Sequence, residues 1–525
     1  MTYGFKNQYL GVPDLFLVYF QDMFVRKKSN KSGSTSVQVI DKSSGGYKVV
    51  KTMGSSGDPQ QVDQLIRRAH QWISHQLGQS ELDFHDEKQL YSSFISGIQQ
   101  VTVAGTELLL GRLFDQIGFG QIADHLFRCL VLSRLCFPVS KLKTTDYLQR
   151  YHGIAVDEDA IYRYMDKLQA TQKETVQQIS YRHTRKVLGE EIRLVFYDVT
   201  TLYFEIDSED TLRKTGFSKE GKHHRPQIVL GLLVSEGGYP LAYEIFQGNT
   251  FEGHTMLPVL EAFKVRYELD KLVIVADSGL LSKSNIAGLQ DKGYEFILGA
   301  RIKNEAQSIK NRILGLRLTN NQSSVIDKPD ATRLIISYSD KRARKDQYNR
   351  QKGLRKLEKR IQSGKLTKAH INNKGYNKYL KLEGDVSISI DREKFEADGK
   401  WDGLKGYLTN SRLPKDQVIE NYAHLWKIER AFRISKTNLK IRPVYHRLQR
   451  RIEAHICIAF VGYKVYKELE RQLKEKKTEL SPEKAIDIAK TIYAIKVVTP
   501  LNKEEIQQTL ILNEEQKELA ELFNF

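Results

Sequence analysis

The chain has 525 residues, a formal net charge of +18 and an isoelectric point near 9.4, with 40% hydrophobic and 10% aromatic residues. Those proportions exclude a disordered chain, and the length suggests roughly three or four domains built on sizeable cores. The charge excess points to a polyanionic partner, nucleic acid first and an anionic membrane surface second, with plain solubility as the bland alternative. Cys129, Cys136 and Cys457 form no CxxC pair. That spacing disfavours a structural zinc site or a disulfide scaffold and suits a reducing compartment. No run of about eighteen apolar residues is present, so no transmembrane helix is expected. Residues 1–22 lack the basic-then-apolar layout of a secretion signal.

In chain order, residues 20–54 read as a small β unit. Thr35–Ile40 and Tyr47–Val50 flank the turn signal Ser43-Ser44-Gly45-Gly46, and Arg26, Lys27, Lys28 and Lys31 crowd it. A helix follows from about Gln61 to Gln76, with Val62, Leu65, Ile66 and Ile73 on one face. Residues 83–190 read as mostly helical, through Ala104–Ile117, Gln121–Ser133 and Asp157–Leu188, with the polar, basic stretch Lys141–Tyr151 between them. A DNA reader and a plain helical scaffold both fit this region, and no helix-turn-helix pattern stands out.

The centre changes character. Ile192–Tyr197 is a strand, extended by Thr201–Phe204; Ile228–Val234 and Pro240–Phe246 form a hairpin around Ser235-Glu236-Gly237-Gly238. A helix is expected from about Glu252 to Leu269, with Thr250 as its N-cap. Then come the strand Leu272–Ala276, a helix near Lys283–Gln290 and the strand Tyr294–Leu298. A strand reached through a crossover helix is normally parallel to its partner. The two strands that lead into Asp198 and Asp277 therefore lie side by side with their ends together.

Residues 303–400 interrupt this pattern with strands Leu334–Tyr338 and Val386–Ile390. Between them, Lys341–Lys381 is basic, with Tyr348, Tyr376 and Tyr379 interleaved. One-sided charge with tyrosines favours a phosphate-binding surface over a merely solvated face. A strand near Gly406–Thr409, a helix over Tyr422–Lys436, a helix over 451–473 and a helical 480–525 complete the chain. Trp401 reads as a buried anchor and Trp426 as packing, while His223, His224 and Arg225 read as a polar loop.

Three acids carry the chemistry. Asp198 and Asp277 end apolar runs, so each head is held at the tip of a buried strand and faces a cleft. Glu429 lies on the later helix. Tyr422, Glu429 and Lys436 are seven residues apart, with Leu425 and Phe432 between them, which places all five on one helical stripe. A glutamate there either pairs with Arg430 or Arg433 or coordinates a cation. Carboxylates from separate elements suit hard divalent ions, and a pair of such ions drives phosphodiester chemistry.

These residues resemble a bacterial insertion-sequence transposase of the Asp-Asp-Glu type, most closely the insertion-sequence-four superfamily. Its third acid sits in Tyr-x2-Arg-x3-Glu-x6-Lys; this chain has Tyr422-x2-Leu425-x3-Glu429-x6-Lys436, with leucine in place of arginine. Phe196–Leu202, Gly216–Lys219 with Pro226-Gln227, Gly248-Asn249-Thr250 and Ala276–Gly279 match in the same order, over roughly 190–450. The resemblance implies an α/β protein with a ribonuclease-H-like catalytic core, a β-rich basic insertion and a mostly helical N-terminal region. Its expected parts are 1–82 as a β unit plus helix, 83–190 as a DNA-end-binding region, and 191–302 and 401–473 as the two halves of the core. Residues 303–400 are then the insertion and 474–525 a C-terminal helical segment.

It also implies a DNA transposase acting on terminal inverted repeats and target DNA, as a homodimer, in a bacterial cytoplasm near the nucleoid and away from membranes. Asp198, Asp277 and Glu429 would be the catalytic, metal-binding set for two Mg²⁺ ions, with Mn²⁺ substituting. Tyr422, Lys436, Lys427 and Arg433 are the candidate DNA-phosphate contacts. A nuclease of the same core without transposition, or a non-catalytic DNA-binding derivative, is the competing expectation.

Overall fold

The computed structural model describes residues 23–76, 87–189, 191–218, 221–269, 271–280, 282–364, 366, 370–372, 375–383, 387–499 and 504–525. The reading of residues 1–22 falls outside them. The chain divides into two compact units, 1–98 with 498–504, and 99–497 with 505–525.

In the first unit β1 (Met23–Ser29), β2 (Thr35–Asp41) and β3 (Lys48–Ser56) make an antiparallel sheet. The helix α1 (Pro59–Gln76) packs Val62, Ala69 and Ile73 on Val37 and Val39 of that sheet. The basic side chains of β1 stay at the surface, with Arg26 donating to Gln38 at 2.8 Å. The helix α2 (Glu87–Ser96) also belongs here.

The second unit opens with β4 (Ile98–Val103) and the helices α3 (Arg112–Ile117), α4 (His125–Cys136), α5 (Lys141–His152), α6 (Glu158–Thr171) and α7 (Lys173–Leu188). Side chains of Asp124, Ser140 and Asp157 cap the N-termini of α4, α5 and α6. The expected single helix 157–188 is two, broken at Gln172, which adopts no N-cap hydrogen bond. Then follow β5 (Leu194–Tyr203), β6 (Gln227–Ser235), β7 (Pro240–Gln247), α8 (Met256–Tyr267), β8 (Val273–Ala276), α9 (Lys283–Asp291) and β9 (Glu295–Ala300). The helix expected from Glu252 starts later, and Thr250 does not cap it: Glu252–His254 forms a single 3₁₀ turn first.

The strand order is β7-β6-β5-β8-β9, with β6 antiparallel to both neighbours and β5, β8 and β9 mutually parallel. An antiparallel meander followed by two crossover-connected parallel strands is the ribonuclease-H-like topology. The sheet then continues past β9. Beyond α10 (Gln307–Leu314), β10 (Ser323–Asp327) and β11 (Arg333–Tyr338) extend it. After α11 (Asp340–Gln362), the hairpin β12 (Leu380–Glu383) and β13 (Ser387–Ile390), and α12 (Arg392–Gly399), the chain re-enters as β14 (Leu404–Thr409) between β9 and β11. The basic run is thus mainly a 23-residue helix. Tyr348 is exposed on it, whereas Tyr379 is core, its hydroxyl donating to Asp398.

The chain ends with α13 (Lys415–Ala423), α14 (Trp426–Thr437), α15 (Gln449–Glu475), α16 (Pro482–Ala489), β15 (Tyr493–Val498), β16 (Glu505–Leu510) and α17 (Glu514–Phe523). The helical expectation for 480–525 misses two strands, which join β4 in a three-stranded sheet. Tyr493–Val498 has the branched, half-buried composition of a strand, read wrongly against its helical flanks. All three cysteines are buried and unpaired.

The helix α15 is the hub of the helical layer, packing on α3, α4, α6, α7, α14 and α16. One part of that packing is polar: buried Lys464 donates to the carbonyl of Ser180 at 3.1 Å and to Thr184, fastening α15 to α7. The sheet core is apolar, and Phe196, fully buried, sits between Val234 of β6 and Val275 of β8. Replacing it by alanine leaves a ring-sized hole in the middle of the sheet. Phe196→Ala is expected to cost about 3–5 kcal/mol, read as a lower denaturant midpoint in tryptophan fluorescence.

Candidate active site

Parallel pairing of β5 and β8 sets Tyr197 opposite Ala276. The next residues are Asp198 and Asp277, so the two acids stand side by side in register, their backbones roughly 5 Å apart. Asp277 lies just past the end of β8, whereas Asp198, expected to end its strand, lies midway along β5, which runs on to Tyr203. Asp198 is half-buried and accepts the Val199 N–H at 2.8 Å. Asp277 is exposed and accepts the Tyr422 hydroxyl at 3.1 Å.

Tyr422 is buried on α13, edge-on to Tyr407 of β14, with ring centroids 5.0 Å apart. Its hydroxyl lies over Gly299 of β9, where a Cβ would collide with it. Glycine therefore permits the approach of Tyr422 to Asp277. Burial first, and then the Asp277 charge, push the phenol well above its usual range, so it stays a donor. Lys405 of β14 places its ammonium 4.3 Å from the Tyr422 ring centroid and 5.2 Å from that of Tyr407. Burial and Arg342 lower its pKa, while Asp277 and Glu429 oppose that shift. Lys405 thus lies in the field of both acids.

Glu429 stands exposed in the first turn of α14, which packs on β5. A carboxylate there is favoured by the helix dipole. The expected continuous helix over 422–436 is two. The chain turns at His424 and Leu425 through 3₁₀-type hydrogen bonds, so Tyr422 and Glu429 are not on one stripe. The inward residues of α14 are Ile428, Ala431, Phe432 and Ile434, and Leu425 is buried at the turn. Among the described residues no ion pair joins Glu429 to Arg430 or Arg433; Arg430 pairs with Glu470 instead.

The three acids are not drawn into one cluster. Among the described residues, no three Asp, Glu, His or Cys side chains are close enough together to hold one metal ion. Asp277 and Glu429 share Lys405 and Tyr422 as electrostatic neighbours, and Asp198 joins them through the β5–β8 register.

The other candidates scatter. Lys427 donates to the Glu236 carbonyl at 2.7 Å, which commits it to the β6–β7 turn. Arg433 is exposed, and Lys436, half-buried on the last turn of α14, already has a partner. Trp426 is half-exposed rather than packed. Trp401 is partly buried against Ile302 and Leu404 and lines a cleft of about 610 Å³ with Arg301, Arg342, Tyr376 and Lys405. Arg225 pairs with Asp207 at 2.6 Å in a polar loop. Arg342 belongs to the basic stretch Lys341–Lys381 read from the sequence, whereas Lys405 went unread. The available signal was a single lysine inside an otherwise apolar β14 pattern.

The family model described as "Transposase DDE domain" matches residues 190–463, more than half of the chain. The chain belongs to that family: it is a DDE transposase, a DNA-binding polynucleotidyl transferase. No curated protein matches it. Among solved structures, a piggyBac transposase synaptic complex with hairpin DNA is 8% identical, covering 78% of this chain and 80% of that one at a TM-score of 0.37. A Mos1 transposase paired-end complex is 14% identical, covering 44% and 71%, at 0.15. A Mos1 mariner paired-end complex with Mn gives 14%, 44%, 72% and 0.15. Among the described residues no helix is long and apolar enough to cross a membrane.

Gly299→Ala is expected to destabilise by about 1–3 kcal/mol through overpacking against Tyr422. Adding Tyr422→Phe, which removes the clashing hydroxyl, recovers part of that loss; equal losses in single and double variants in urea unfolding count against the contact.

Proposed function

We propose that this chain is the transposase of a bacterial insertion sequence of the insertion-sequence-four superfamily, cutting DNA at the element's terminal inverted repeats and joining the freed 3′ ends to target DNA. The observation that carries the reading is the parallel β5–β8 register, which brings Asp198 and Asp277 out together, with Tyr422 and Lys405 linking Asp277 to Glu429.

The donor set fits hard divalent cations: three carboxylates supply oxygen ligands, and the Lys405 ammonium already places positive charge in the field of two of them. Asp198 with Asp277 would hold one Mg²⁺ and Asp198 with Glu429 a second, Mn²⁺ substituting; bound there, the pair supplies an activated oxygen nucleophile and charge stabilisation of the leaving oxygen. The chain's own residues do the rest. Tyr422 holds Asp277 in one orientation through its hydroxyl. Lys405 neutralises carboxylate repulsion before DNA arrives and faces a phosphate afterwards. Lys436 and Arg433 add positive charge on α14 for the flanking backbone.

In this reading residues 83–190 recognise the element ends, with 1–82 as a further DNA contact. The 303–400 insertion offers α11 as a phosphate-binding face, and two copies hold two ends. The chain then works in a bacterial cytoplasm at the nucleoid.

Asp198→Asn is expected to lower cleavage of an inverted-repeat substrate by about 10³-fold or more while end binding persists in gel shift. Full cleavage by that variant in Mg²⁺ removes Asp198 from the site. Chelation by EDTA should stop cleavage, and added Mg²⁺ or Mn²⁺ should restore it; cleavage that persists in EDTA rejects the metal-dependent route. Cleavage without joining to target DNA would make the enzyme a nuclease only.

A further inference from the structure

Away from the three acids, four basic side chains converge inside the helical layer. They are Arg134 on the last turn of α4, Lys141 at the first position of α5, His446 in the loop before α15, and His455 on α15. Arg134 and Lys141 are 7% and 5% exposed, and His455 is 6% exposed. The two imidazoles lie with ring centroids 5.2 Å apart. Each histidine feels the charges of both Arg134 and Lys141, and Lys141 feels Arg134.

Among the described residues, the charges that Lys141, His446 and His455 feel come from basic groups alone. Arg451, paired with Asp166 at 2.8 Å, is a further cation whose charge His446 feels. Among the described residues, neither Arg134 nor Lys141 has a hydrogen-bond or ion-pair partner. His455 Nε2 donates to the Ile441 carbonyl at 3.1 Å, and its Nδ1 is buried with no partner. Burial drives both histidines down, His446 to about 3, and holds Lys141 well below its ordinary value. An unpaired buried cation is costly, and proteins pair such groups or place a counter-ion beside them.

The helix α5 supplies a second feature. Ser140 caps it by accepting the Lys143 N–H at 3.3 Å, and the Thr144 N–H goes to the Ser140 carbonyl. The N–H groups of Lys141 and Leu142 keep no partner among the described residues, at the positive end of a twelve-residue helix. Oriented amides, a guanidinium, an ammonium and two imidazoles that become donors on taking up protons form the donor set a phosphate group needs.

We propose that Arg134, Lys141, His446 and His455, with the N-terminus of α5, form an oxyanion site that takes one phosphate group. It is distinct from the Asp198, Asp277 and Glu429 site and does not rest on the role proposed for those acids. The phosphate comes either from a DNA backbone or from free inorganic phosphate. The loop carrying His446 also holds Val444, which pairs with Phe204 just past the end of β5. A phosphate here therefore braces the loop that tethers α15 to the strand bearing Asp198.

The test is thermal unfolding of the full chain in inorganic phosphate against chloride at matched ionic strength, for wild type and Lys141→Met, with duplex binding measured across salt. Wild type is expected to gain Tm with the logarithm of phosphate concentration. Lys141→Met should be at least as stable as wild type in chloride, having lost an unpaired buried ammonium, and should bind phosphate about 10- to 100-fold more weakly. If free phosphate is the ligand, the salt slope of duplex binding is the same in both proteins. If a DNA phosphate is the ligand, Lys141→Met lowers that slope by about one. No phosphate-specific stabilisation of wild type together with an unchanged slope overturns the site. So does Lys141→Met losing stability equally in both salts, which marks a merely structural lysine. The wild-type phosphate titration stands even if the variant fails to fold.

Discussion

The arrangement depends on one backbone constraint, the parallel hydrogen-bonded register between β5 and β8. Asp198 and Asp277 lie far apart in the chain, and neither side chain contributes to bringing them together. The ladder does that, because pairing Tyr197 with Ala276 fixes the next residue on each strand. Apolar packing on both faces holds the register. A one-residue slip would move every side chain to the opposite face and force both packed layers to rearrange, along strands whose side chains are nearly all buried. The rigidity of the two acids is therefore borrowed from the core.

Around that pair the charges are balanced rather than clustered. Lys405 is half-buried at some desolvation cost, and two tyrosine faces and the nearby carboxylates offset it. Tyr422 couples the sheet to α13, and Gly299 leaves room for it. Substitutions in the second layer of residues, Gly299 and Tyr407 among them, thus bear on the geometry of an acid they do not touch.

The core strands were legible because their apolar runs are long and bounded by turn residues, and the crossover helices then made β5, β8 and β9 parallel. Asp277 could be placed at a strand end for the same reason, whereas Asp198 lies midway along β5, whose second half stays paired with β6. Glu429 was harder. Helical periodicity carries smoothly through residues 422–436, and nothing in the side chains of His424 or Leu425 announces a break. The 3₁₀ turn there comes from tertiary packing, with Leu425 and Tyr422 both buried. β15 was missed because it pairs with β4, nearly four hundred residues earlier in the chain, a partner that local pattern cannot register, and β16 pairs in turn with β15. Lys405 escaped notice because one lysine in a strand looks like an edge residue until the sheet is seen to continue on both sides of β14.

That continuation has an architectural consequence. β11 and β14 are adjacent and antiparallel, with Tyr338 opposite Leu404. The excursion carrying α11, the β12–β13 hairpin and α12 thus departs and returns at a single doorway in the sheet. A change in its length or surface would leave the frame that holds β5 and β8 closed behind it.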